Sequence, residues 1–221
     1  MRSTSQKLYI IQLTSLFLVY GYLCVLMIKI CIHYFPWQDI NNFLVLKQDV
    51  VQTQPWRFAF QVHVITSSIL LIAGFTQFFQ IFRTRFPKIH RYGGWLYLIT
   101  LIFFALPRGF IAAGGFPTQL CFFILCIIWS YCTLRAIYHL FKKQWLAHRN
   151  WMIRSFALSL SALSLRTWKL FLYELQPYFD WLTPLHIYQL ESWLGWMVNL
   201  LIAEIIIFFL NRSKHKSPKM S

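Results

Sequence analysis

Residues 8–32 carry a single charged side chain, Lys29, and that run is the first of six. A helix needs about 20 mainly apolar residues to cross a hydrocarbon core. Five further segments meet that length: 58–82, 92–112, 119–140, 151–171 and 193–210. Hydrocarbon offers no partner to a free N–H or C=O, so such segments must fold as helices that satisfy their own backbone. The expected fold is therefore all-α, a polytopic membrane helical bundle of six transmembrane helices forming one domain over residues 1–221. Only 12% of the residues are charged, about half the share of a soluble domain. There is too little charge to clothe a water-facing surface. Residues 1–7 are basic and precede an apolar run, as in a signal peptide, but the run is too long and has no small-x-small cleavage pattern. It reads as a retained first span.

The net charge of +15 could suggest nucleic acid. The distribution points instead to membrane orientation. Arg2 and Lys7, then Arg83, Arg85, Lys88 and Arg91, then Arg135, Lys142, Lys143, Arg149 and Arg154, and finally Arg212, Lys214, Lys216 and Lys219 all fall on one side of the alternating spans. No acid stands in any of these segments. Lys29, Lys47, Arg57, Arg108, Arg166 and Lys169 fall on the other side, with Asp39, Asp49, Glu174, Asp180 and Glu191. Basic loops stay cytoplasmic, so both termini are expected inside and the location is the cell inner (plasma) membrane. The implied partners are the bilayer, with anionic lipids at the cytoplasmic face, and other membrane proteins. Nucleic acid is not among them. The outer segments 33–57 and 167–192 are rich in aromatic residues and proline, as interfacial belts are. Short surface helices or a cavity cap would suit them.

Ionisable groups inside a span are costly and tend to face the protein interior. His63, Arg108 and Arg166 fall at similar outer depth and form a candidate cluster for an anion or a cofactor carboxylate. The alternative is that the arginines snorkel to the interface. Arg154 and Glu204 share a cytoplasmic-side depth and form a candidate buried ion pair. Ser155, Ser159 and Ala162 make a small-residue face that continues to Arg166, which suits close helix contact. His90–Arg91 and His148–Arg149 open two helices at one cytoplasmic level. Facing imidazoles could hold a b-type haem, with His63 a further candidate ligand and the arginines on its propionates. The competing reading makes them headgroup-level residues bonded to backbone or phosphate. No metal site is indicated by Cys24, Cys31, Cys121, Cys126 and Cys132, which are odd in number and form no CxxC pair. They read as buried apolar filler.

Two stretches carry a family resemblance: His63, Gln77, Arg83, Pro87, His90-Arg91, Gly94 and Tyr97, and His148-Arg149-Asn150-Trp151-Met152-Ile153-Arg154 with Arg166. In these the chain resembles the bacterial predicted membrane proteins grouped as domain of unknown function 2306, over residues 61–204. Gly93-Gly94-Trp95 stands where that pattern leads one to expect Gly-Arg, one positive charge fewer beside the first pair. The resemblance implies a multi-pass membrane protein with no assigned reaction. No GxSxG, HExxH, phosphate-binding glycine loop or neighbouring pair of acids supports a hydrolase or transferase. Two readings remain. One is a redox protein holding haem through bundle histidines. The other is a non-catalytic or transport-type protein binding a lipid headgroup, quinone or small anion in its Arg/His cluster.

Overall fold

A computed structural model describes residues 4–35, 51–105 and 114–215. Among the described residues every regular element is helical. The helices are α1 (Thr4–Ile32), α2 (Gln54–Thr76), α3 (Gln80–Thr84), α4 (Pro87–Ala105), α5 (Phe116–Phe141), α6 (Trp145–Ser159), α7 (Ser161–Leu175) and α8 (Pro184–His215), with a 3-10 turn at Gln176–Tyr178. Among the described residues three stretches are long and apolar enough to cross a membrane: Gln54–Thr76, Phe116–Phe141 and Pro184–Arg212. A shorter apolar stretch covers Phe17–Ile32.

The ends of these helices follow local chemistry. Thr53 and a proline in the first turn begin α2, where a missing N–H costs nothing. Gly114 and Gly115 hold φ of 102° and 80° and turn the chain into α5. Lys143 takes φ 55° beyond α5. Its N–H reaches the Leu140 carbonyl at 3.0 Å and that of Gln144 reaches His139 at 2.9 Å, the paired bonds of a Schellman end. Thr183 Oγ1 accepts the His186 N–H at 3.3 Å and caps α8.

Packing sets α2 against α4, α5 against α6, and α7 against α8, while α6 also touches α2 and α8. Helix α1 lies along α2, where the Tyr20 hydroxyl donates to the Leu71 carbonyl at 3.0 Å. On α5, Cys121, Leu125, Cys132 and Ala136 face inward, whereas Phe123, Ile127, Tyr131 and Leu134 are all more than half exposed. Such an apolar stripe on the outside of a helix suits lipid rather than water. All five cysteines are free and buried.

Three sequence-derived boundaries change. The second expected span, 58–82, ends at Thr76, because Phe79 is extended and a separate short helix follows. The sixth begins at Pro184 rather than at 193. Most consequentially, the fifth is two helices broken at Leu160. Asn199 Nδ2 on α8 donates to the Ala157 carbonyl at 3.2 Å, the acceptor that an unbroken helix would give to Ser161 N–H. Ser164 Oγ donates to Asn199 Oδ1 at 2.9 Å from beyond the break. Ser159 Oγ turns back onto the Phe156 carbonyl at 2.7 Å, and such back-bonding bends helices.

Candidate functional site

Polar side chains gather at three levels of the bundle. At one end of the bundle, Arg166 on α7 is partly buried and one guanidinium nitrogen donates to the Ala162 carbonyl of its own helix. Tyr34, Cys31 and Glu191 lie within its electrostatic reach. Cys31 Sγ stands 3.0 Å from Ser68 Oγ and 3.3 Å from the Val64 carbonyl, so α1 and α2 wall the same region. Tyr34 packs edge-on against Phe60 at 5.1 Å. His63 precedes Val64 on α2, and Ser67 Oγ lies 3.4 Å from its Nδ1. Arg108 lies outside the described residues.

Glu191 is the residue that sequence reasoning missed at this level. Its side chain is 4% exposed, and Oε2 has no hydrogen-bond partner. The register of α7 on α8 explains its position. A Cβ on Gly195 would come within 3.3 Å of the Leu165 backbone, so the two helices touch there. One turn outward along each, Glu191 meets the level of Lys169. Another turn outward, Ile187 and Leu172 share one apolar cluster. The signal available in sequence was an acid four residues from a small residue at a helix contact. It could be read only once the partner helix was known.

At mid-depth a sealed polar knot joins α4, α5 and α6. Thr133 Oγ1 donates to the Trp129 carbonyl at 2.9 Å, so it must accept from Ser155 at 2.6 Å. Ser155 Oγ then accepts from the Tyr97 hydroxyl at 2.8 Å and shares the Trp129 indole N–H at 3.2 Å. The indole also reaches Tyr97 Oη at 3.1 Å. Tyr97, Trp129, Thr133 and Ser155 are all buried.

At the opposite end of the bundle, His90 and His148 come near enough for charge on one to be felt by the other. Each is bonded separately. His148 Nδ1 donates to the Ala136 carbonyl at 2.8 Å. Gln77 reaches His90 from the end of α2. Its amide oxygen accepts from Gly94 N–H and Thr76 Oγ1, each at 3.3 Å, so its nitrogen donates to the His90 carbonyl at 2.9 Å and to Nδ1 at 3.2 Å. Backbone partners thus fix the amide, and the amide makes Nδ1 an acceptor, which puts the proton of neutral His90 on Nε2. Gly93 permits this approach, since a Cβ there would stand 2.5 Å from the Gln77 amide oxygen in this orientation. His90 lies before the third expected span. Burial, followed by the positive charges of Arg83 and His148, holds its pKa below the ordinary 6.5. Arg91 is exposed. Arg149 donates to the amide oxygens of Asn150 and Asn211, each at 3.0 Å from Nη2.

This arrangement does not support haem. About 20 Å of helix separates His63 from Gln77 and hence from the His90 level, at 1.5 Å per residue. His90 presents an N–H where an iron ligand needs a lone pair. Among the described residues no group of three or more His, Cys, Asp or Glu is placed to hold a metal.

Arg154 and Glu204 do pair, through Nε to Oε1 and through Nη2 to Oε2 at 2.8 Å. The sequence leads one to expect this pair to be buried. It lies instead on the bundle flank, with side chains 21% and 47% exposed. The physical reason is angular. Ala203 and Ile207 face inward on α8, so Glu204, about 100° round from Ala203, points aside. Trp151 stacks under the Arg154 guanidinium at 4.6 Å.

No curated protein and no solved structure matches this chain. A family model does, and it spans most of the residues that build the three polar levels on α2 and α4 to α8. Over residues 60–207 the chain matches the predicted membrane protein family DUF2306, and it belongs to that family.

Proposed function

We propose that this chain is a six-span inner-membrane protein with both termini in the cytoplasm, of non-catalytic or transport type, which binds a lipid headgroup, quinone or small anion in its outer polar cluster. The observation that carries this reading is Arg166. Its guanidinium is drawn into the bundle, and its one hydrogen bond among the described residues goes to a carbonyl of its own helix. A cation in that position keeps donors for a ligand, and a planar guanidinium suits an oxyanion. Tyr34 adds a hydroxyl within its electrostatic reach. The basic cytoplasmic loops favour the orientation and would rest on anionic lipid.

Thermal unfolding of the purified protein tests the binding. Anionic lipid should raise the Tm of the wild type and leave that of Arg166→Ala unchanged, while both elute as the same folded species. Equal stabilisation of the two proteins would refute the site. A reporter fused to the tail and active in the periplasm would refute the orientation.

A further inference from the structure

Arg166 is one element of the outer level, and the uncommitted carboxylate of Glu191 is the other. Burying a carboxylate is unfavourable unless hydrogen bonds or opposite charge compensate it. Glu191 is 4% exposed, yet its Oε2 accepts no hydrogen bond. Among the described residues no cation closes an ion pair on it, although Lys169 and Arg166 both act on its charge. The close approach of Gly195 to the Leu165 backbone sets the level at which these groups stand. It holds α7 and α8 in register so that Glu191 and Lys169 share a level, while the Lys169 ammonium lies over the Tyr173 ring at 5.7 Å. Arg166 meanwhile turns toward Ala162 and the Tyr34 side of the cluster. The result is a buried acceptor flanked by two cations, each held by other contacts.

An anion alone would satisfy Arg166 and Lys169 and leave Glu191 worse placed, since like charges repel. A cation alone would do the reverse. A ligand bearing both signs answers all three groups. Its positive end must also carry N–H donors, because Oε2 lacks a hydrogen bond and not only a counter-charge. We propose that Glu191, Arg166 and Lys169 form a zwitterion site that takes a primary ammonium on Glu191 and a phosphate on the two cations, the chemistry of a phosphoethanolamine headgroup. This rests on the anion-binding reading above and specifies its ligand. The level lies where the outer ends of α7 and α8 meet, within reach of lipid headgroups.

The test compares lipids that differ in one end. Purified full-length protein is titrated in micelles doped with phosphatidylethanolamine, phosphatidylcholine or phosphatidylglycerol, and apparent Kd is read from the Tm. Phosphatidylethanolamine should bind about tenfold tighter than phosphatidylcholine, whose trimethylammonium has no N–H to give, as the loss of one hydrogen bond to a charged group implies. Glu191→Gln removes no existing hydrogen bond and should fold. It should abolish that tenfold preference and spare phosphatidylglycerol binding. Glu174→Gln, an exposed carboxylate on the same helix as Lys169, should keep the preference. Soluble O-phosphoethanolamine is added in parallel: competition by it assigns the site to a free zwitterion as well, and no competition assigns it to lipid. A preference that survives Glu191→Gln, or no preference in the wild type, overturns the zwitterion site. If phosphatidylglycerol still loses its effect in Arg166→Ala, the anion site stands without it. If phosphatidylglycerol acts equally on Arg166→Ala, both fail.

Discussion

Replacing Ser155 by alanine removes the oxygen on which the mid-depth knot converges. Ser155 Oγ accepts from Tyr97 at 2.8 Å and from Trp129 at 3.2 Å, and donates to Thr133 at 2.6 Å. After the change, Trp129 still reaches Tyr97 Oη at 3.1 Å, and Thr133 still donates to the Trp129 carbonyl. The Tyr97 hydroxyl proton alone loses its acceptor, at a site 1% exposed. An orphaned buried donor costs about 1–3 kcal/mol, and hydrogen bonds between membrane helices fall toward the lower part of that range, about 0.6–1.7 kcal/mol. Ser159, one turn along α6, also interacts with the phenol and offers partial relief. The expected cost is about 1 kcal/mol, or a Tm lower by about 2–4 °C for a chain of this length. Tyr97→Phe should cost less, because every remaining donor keeps an acceptor. Differential scanning fluorimetry in one detergent compares the two. If Tyr97→Phe lowers the Tm by more than Ser155→Ala does, the assignment of donors and acceptors in the knot is wrong.

Three further outcomes follow from local geometry. His90 has its pKa depressed by burial and neighbouring positive charge, so the unfolded chain takes up this proton first as the medium is acidified. Its contribution is intact above about pH 6.5 and is lost as pH falls below that toward the depressed folded value; Tm measured against pH should fall there more steeply for the wild type than for His90→Gln. Gly93→Ala drives a methyl to 2.5 Å from the Gln77 amide oxygen and should destabilise by about 1–3 kcal/mol, and adding Gln77→Ala should recover much of the loss in the same melting assay. Lys143 occupies a left-handed position at φ 55°, so Lys143→Gly should stabilise by about 1 kcal/mol; an unchanged or lower Tm would refute that strain.

Sequence alone determined that the chain is helical, apolar on its exterior and a member of its family. Each of those properties depends on composition and run length: residues 8–32 and 119–140 carry one Lys or Arg each and no acid over a full crossing, wherever their neighbours lie. It also identified the ionisable residues worth watching, because such side chains are rare inside spans, and it matched Arg154 to Glu204 by depth. Depth along a helix is set by counting residues, whereas direction around the helix depends on which neighbour it packs against. The flank position of Glu204 therefore emerged only with tertiary structure. So did the break at Leu160, which needs an amide from Asn199, 39 residues away in sequence, to claim the Ala157 carbonyl. Glu191 shows the difference most plainly. In sequence it is one outer acid among several, and it becomes a buried, uncommitted acceptor because Gly195 lets α8 settle against the Leu165 backbone. Helices encode their own hydrogen bonds, but the partners of their side chains are chosen by the contacts between them.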